Sequence, residues 1–91
     1  MTNNVRDNTS KNRFELDVEG GTVFANYRRN DNSVIITHTE TPAALRGRGL
    51  ASQLVAGALE LIHAENRKVI AGCSFVADYL RQHPDAPVRK G

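Results

Sequence analysis

Two arginines alternate with two glycines in the run Thr41-Pro42-Ala43-Ala44-Leu45-Arg46-Gly47-Arg48-Gly49-Leu50-Ala51-Ser52. The run stands where a β-rich stretch gives way to a long helical pattern. The first amides of a helix have no partner inside it and lie at the positive end of its dipole. Glycine lets an anion come close to that backbone. Residue types and spacing therefore point to an anion site, and first of all to a pyrophosphate-binding turn. Three more side chains are suited to chemistry. Period-2 spacing puts His38 and Glu40 on one face of the strand entering the turn, where either can act as a general base. Cys73 closes the next strand, in front of a second helical stretch, and is a candidate nucleophile.

Two familiar phosphate devices do not fit. A P-loop needs G-x-x-x-x-G-K-[ST], and no such run is present. A Rossmann fingerprint needs three glycines, whereas Gly47, Gly49 and Ser52 supply two. It also needs a pair of βαβ halves and an acidic residue near the end of the following strand, where this chain has Cys73.

The elements that must position these residues are legible in the hydropathy pattern. From Arg13 to Glu19, Phe14, Leu16 and Val18 alternate with charged residues, as in a half-buried strand. Gly20-Gly21 signals a hairpin turn, and Thr22 to Arg28 alternate again. After the polar cluster at 29–33, Val34-Ile35-Ile36-Thr37-His38-Thr39 reads as a central strand buried on both faces. Pro42 ends its exit. From Gly49 to His63, Leu50, Leu54, Ala58 and Leu61 form a helical stripe, widened by Ala51, Val55, Leu59 and Ile62. Lys68 to Cys73 is a further strand. Ser74 then caps a short helix from Phe75 to about Gln82, stopped by His83-Pro84. Residues 1–12 read as a disordered N-terminal tail and 85–91 as a loose C-terminal one. The order β-β-β-α-β-α predicts an α+β fold. Three strands meander antiparallel, and a right-handed crossover helix sets the fourth parallel to the third.

Ninety-one residues allow one domain at most. A composition of 40% hydrophobic and 24% charged residues is that of a globular protein. The net charge of +2 is too mild to argue for nucleic acid, and acidic residues are interleaved with basic ones. No apolar run approaches the ~18 residues of a membrane span, and the N-terminus lacks the apolar core of a signal peptide. A single cysteine makes no intramolecular disulfide and no typical zinc site, so a reducing cytoplasm is the expected setting.

A third device does fit. Arg46-Gly47-Arg48-Gly49-Leu50-Ala51 matches the R/Q-x-x-G-x-G/A signature of the GNAT acetyltransferase superfamily, and sits between strand and helix as it does there. The element order resembles the GNAT core without its usual N-terminal helices: an α/β/α-type core, a truncated acyl-CoA N-acyltransferase fold. His38-Thr39-Glu40-Thr41-Pro42 and Cys73-Ser74-Phe75-Val76 narrow the resemblance to the short, single-domain YjdJ-type proteins, over about Arg13 to Pro84.

That resemblance implies a site for acetyl-CoA or coenzyme A. The turn from Arg46 to Ala51, with Ser52 as a further donor, would hold the pyrophosphate. The pantetheine arm would lie along Thr39, Glu40 and Thr41, between splayed parallel strands. Cys73 would stand near the thioester and take the acyl group, with Glu40 or His38 as base. Tyr79 lies in the last helix, where GNAT enzymes often carry a tyrosine acid, but the usual N-x-x-A-x-x-x-Y context is absent. His63 and His83 read as surface residues.

Two functions follow from the resemblance. One is an acyl-CoA-dependent, monomeric N-acyltransferase with an unidentified amine acceptor, small molecule or protein. The other is a non-catalytic acyl-CoA-binding module or sensor. A nucleic-acid-binding domain is a third reading, motivated by Arg28, Arg29, Arg46, Arg48 and a pI near 9.0, but no such module's motif is present.

Overall fold

The computed structural model describes residues 4–91. One mixed sheet of six strands runs in chain order: β1 (Arg6–Asn8), β2 (Arg13–Val18), β3 (Gly21–Arg29), β4 (Ser33–Glu40), β5 (Lys68–Ala71) and β6 (Arg89–Lys90). The first four strands are antiparallel. β5 lies parallel to β4, and β6 parallel to β5. A 3-10 turn (Ala43–Leu45) and helix α1 (Leu50–Ala64) join β4 to β5, and helix α2 (Ser74–Gln82) joins β5 to β6. Both crossovers step the same way along the sheet. Right-handed connections of that kind put both helices on one face, where they touch each other.

The core lies under that face. Phe14, Leu16, Val23, Ala25, Tyr27, Val34, Ile36 and Val69 meet Leu54, Val55, Ala58, Leu59 and Ile62 of α1, all buried. The stripe is rotated slightly from the one the periodicity suggests, since Leu50 and Leu61 are only partly buried. The opposite sheet face has no helix over it among the described residues. β4 is therefore not buried on both sides as its β-branched run suggests: Ile35 is half-covered and His38 is exposed.

Both supposed tails carry strands. Val5 is 5% exposed and packs into the core, and β1 pairs with β2 through Arg6↔Glu15 and Asp7↔Phe14. Asp7 accepts hydrogen bonds from the Tyr27 hydroxyl and from Arg29, which also grips Glu65 at the end of α1. At the other end Val88 is buried, and the Gly91 amide donates to the Val69 carbonyl at 2.8 Å. Strands of two or three residues are too short to show a period of 2, so only the partners they find reveal them. Residues 1–3, the rest of the expected N-terminal tail, lie outside the described residues.

Candidate functional site

The turn is built by backbone geometry. Leu45 is buried against Gly20 and Gly21, which pins the loop to the β2–β3 hairpin. Past it, Gly47 and Gly49 have φ of 83° and 71°, with Arg48 between them outside the left-handed region. Left-handed residues in such alternation are the backbone from which anion nests are built. Gly49 is the N-cap of α1 and offers no side-chain cap bond, and no acidic residue stands in the first turn. The first α1 bond that reaches back to the cap runs from the Gln53 amide to the Gly49 carbonyl. No hydrogen bond to a described residue engages the amides of Gly47 through Ser52. A cleft of about 210 Å³ opens over them, lined by Thr41, Arg46, Gly47, Gly49, Leu50, Ala51, Ser52 and Phe75. The Arg48 side chain is not in its wall. Arg46 is, and its Nε donates to the Thr41 carbonyl at 3.2 Å.

The second half of the site is where β4 and β5 part. Their ladder ends at Ile36↔Ala71 and the bond from the Gly72 amide to the Ile36 carbonyl, 2.8 Å. β4 runs on for four more residues held by β3 alone. The cause is a bulge. Asn26 pairs with His38 while Tyr27 pairs with Ile36, which leaves Thr37 as an extra residue on β4. Its hydroxyl donates to the Asn26 carbonyl. The β5-facing edge of Thr37–Glu40 thus meets no strand, and a slot of about 340 Å³ opens there. Its walls are His38, Thr39, Glu40, Thr41, Arg46, Ala51 and Phe75.

Three side chains that can carry charge, His38, Glu40 and Arg46, stand in the slot's wall. His38 Nε2 and Glu40 Oε1 are 3.0 Å apart, on the open face, as their spacing predicts. Arg46 lies 3.9 Å from the other Glu40 oxygen. Thr39 emerges on the opposite face and faces Cys73, 3.7 Å away. Cys73, rather than Ser74, is the N-cap of α2, and makes no cap bond. Ser74 is already helical.

Tyr79 is absent from both walls. It lines a third cleft of about 180 Å³, with Ser52, Phe75, Asp78 and Gln82, and its ring stacks on His83 at 4.0 Å. Burial, reinforced by Asp85 and Glu60, raises its hydroxyl pKa. The structure therefore brings together the turn, Thr39–Thr41 and His38; Cys73 is in neither wall and reaches the group only through its contact with Thr39, and Tyr79 lies outside. Phe75 enters the site unforeseen. Its signal was an aromatic at the second position of a helix whose buried residue is Val76. Of the arginines that motivated a nucleic-acid reading, Arg29 is engaged by Asp7 and Glu65. No helix among the described residues is long and apolar enough to cross a membrane.

A family model described as GCN5-related N-acetyl-transferase matches residues 13–88. Protein NATD1 of Homo sapiens is 37% identical over 51 residues, 56% of this chain and 45% of that protein. Its counterpart in Xenopus tropicalis is 35% identical over 52 residues, 57% of this chain and 48% of that protein. The match thus spans about half the length of these relatives. The solution structure of a GCN5-like protein from Staphylococcus aureus shares the fold, with a TM-score of 0.64 and 28% identity. It covers 96% of this chain and 86% of that one.

Proposed function

The chain belongs to the GCN5-related N-acetyltransferase family, and from that premise we propose that it is an acyl-CoA-dependent N-acyltransferase that uses acetyl-CoA. The observation that carries this reading is the continuity of an unbonded amide nest with a slot beside an unpaired strand edge. A nest suits a diphosphate, and a free edge suits an arm that carries amides. When bound, acetyl-CoA supplies an activated thioester. The turn amides from Gly47 to Ser52 hold the phosphates, and Arg46 adds charge-assisted attraction. The edge of Thr39, Glu40 and Thr41 orients the arm. Glu40, steadied by His38, takes the proton from the incoming ammonium so that the nitrogen has a free electron pair.

Two routes are open to Cys73. In the covalent one its sulfur accepts the acyl group, CoA leaves as the thiol, and the amine then displaces the Cys73 sulfur. In the direct one it only packs beside Thr39. Calorimetry with CoA tests the common premise, and the absence of saturable binding overturns it. Release of CoA thiol in the presence of small and peptide amines then separates the enzyme from a CoA-binding module, which would bind without turnover.

A further inference from the structure

Three clefts meet at one side chain. The turn cleft, the slot and the third cleft beside Tyr79 all have Phe75 in their wall. Phe75 is 37% exposed, the large hydrophobic side chain that the fold leaves in water among the described residues. The turn by itself cannot choose among diphosphates, because backbone amides read only phosphate oxygens. The slot is lined by His38, Thr39, Glu40, Thr41 and Arg46, and its apolar wall is Ala51 and Phe75 alone. Leu45 and Leu50 give the turn cleft apolar surface of its own, but Phe75 is the side chain shared by the turn cleft and the slot that can carry an organic arm from one into the other.

We propose that Phe75 is the specificity-determining residue of this site. Its ring carries the organic arm of a diphosphate ester from the turn into the slot, so the site prefers such an ester to bare pyrophosphate. The assignment rests on the acyl-CoA reading above. It goes further, because it divides recognition in two: phosphate by backbone, arm by one aromatic ring.

The test compares CoA and inorganic pyrophosphate by calorimetry on the wild type, Phe75→Ala and Phe75→Gln. The glutamine variant keeps bulk but not apolar character. Thermal unfolding identifies a variant that has lost its fold, and the other then decides. The expected result is CoA affinity reduced about tenfold or more in either variant, with pyrophosphate affinity held within about twofold. Phe75→Leu should restore most of the CoA affinity. Normal CoA binding by a folded variant overturns the assignment and leaves the acyl-CoA reading intact. Parallel loss of both ligands also overturns it, because the ring would then be supporting the turn. A wild-type protein that does not bind CoA overturns both.

Discussion

The Thr39 hydroxyl lies 3.7 Å from the Cys73 sulfur, across the point where β4 and β5 separate. Each residue gets there by a different device. The Thr37 bulge resets the alternation of β4, so that Thr39 shares the helix-side face with Ile36 and Ala25. Cys73 sits one residue past Gly72, whose absent side chain allows the close approach. A Cβ on Gly72 would meet the Ile36 carbonyl at 2.9 Å and the Thr37 backbone at 3.3 Å. The pair thus stands where the two strands part, with Thr39 in the slot's wall and Cys73 in contact with it.

In the covalent route, intact-mass analysis after incubation with acetyl-CoA shows an acetyl-sized increase on the wild type and none on Cys73→Ala. Amine acetylation falls with it. If Cys73→Ala transfers acetyl at the wild-type rate, the direct route holds, and Thr39 and Cys73 only shape the slot.

Glu40→Gln keeps size and hydrogen bonding to His38 but loses the base. It is expected to lower kcat by a factor of about 10²–10⁴, the usual contribution of a positioned base, while KM for acetyl-CoA changes little. The same loss in His38→Gln with an unaffected Glu40→Gln would transfer the role to His38.

Gly72→Ala acts on the width of the slot. The added methyl collides with β4 backbone, which has no flexible end to move aside. Overpacking of this kind costs about 1–3 kcal/mol. The expected signs are a lower unfolding midpoint and weaker CoA binding together. An unchanged midpoint would mean that the strands part without strain.

Gly49→Ala tests the turn. Nothing lies within 4 Å of the new Cβ, so crowding plays no part. The φ of 71° is the whole penalty, roughly 1–2 kcal/mol for a side-chain-bearing residue in the left-handed region. Denaturant titration should show that cost, and calorimetry a loss of CoA affinity as the amides swing away. Unchanged affinity would argue against backbone recognition of the phosphates.

Much of this arrangement was legible in the residues. Alternation in 13–19 and 22–28 and the α1 stripe gave the sheet and its helix, because each has one buried face and one period. The His38–Glu40 pairing followed from period 2, since both lie beyond the bulge. The bulge itself was not legible: nothing in Val34–Thr39 says that one residue will go unpaired. Phe75 was hidden for a related reason. Its exposure depends on where β4 and α1 stand, which is a tertiary fact. β1 and β6 were missed because Arg6–Asn8 and Arg89–Lys90 are polar and short, and become strands only through edges that other elements provide.

β1 also explains a buried charge that alternation alone marks as exposed. Glu15 is 2% exposed although it lies on the face without helices. Its carboxylate is covered by its own partners: Arg6 across the β1–β2 ladder, Arg13 at 2.5 Å and Asn8 at 3.1 Å. Burial opposes its charge, but Arg13, Asn8 and Arg6 together hold the carboxyl below its ordinary pKa. The unfolded chain, with a Glu pKa near ~4.3, therefore binds the proton more readily than the native one. The stabilisation is complete above the unfolded value and is lost as pH falls toward the depressed native one. Glu15→Gln leaves Arg13 without its countercharge and Arg6 with Asp17 alone. Because the arginines are partly exposed, the cost at neutral pH should lie between that of a surface pair and a buried one, about 1–2 kcal/mol. Denaturant titrations between about pH 7 and pH 3 should then show a wild-type advantage that shrinks on acidification. A gap between the two proteins that stays constant with pH would assign the stabilisation to packing around Glu15 rather than to its charge.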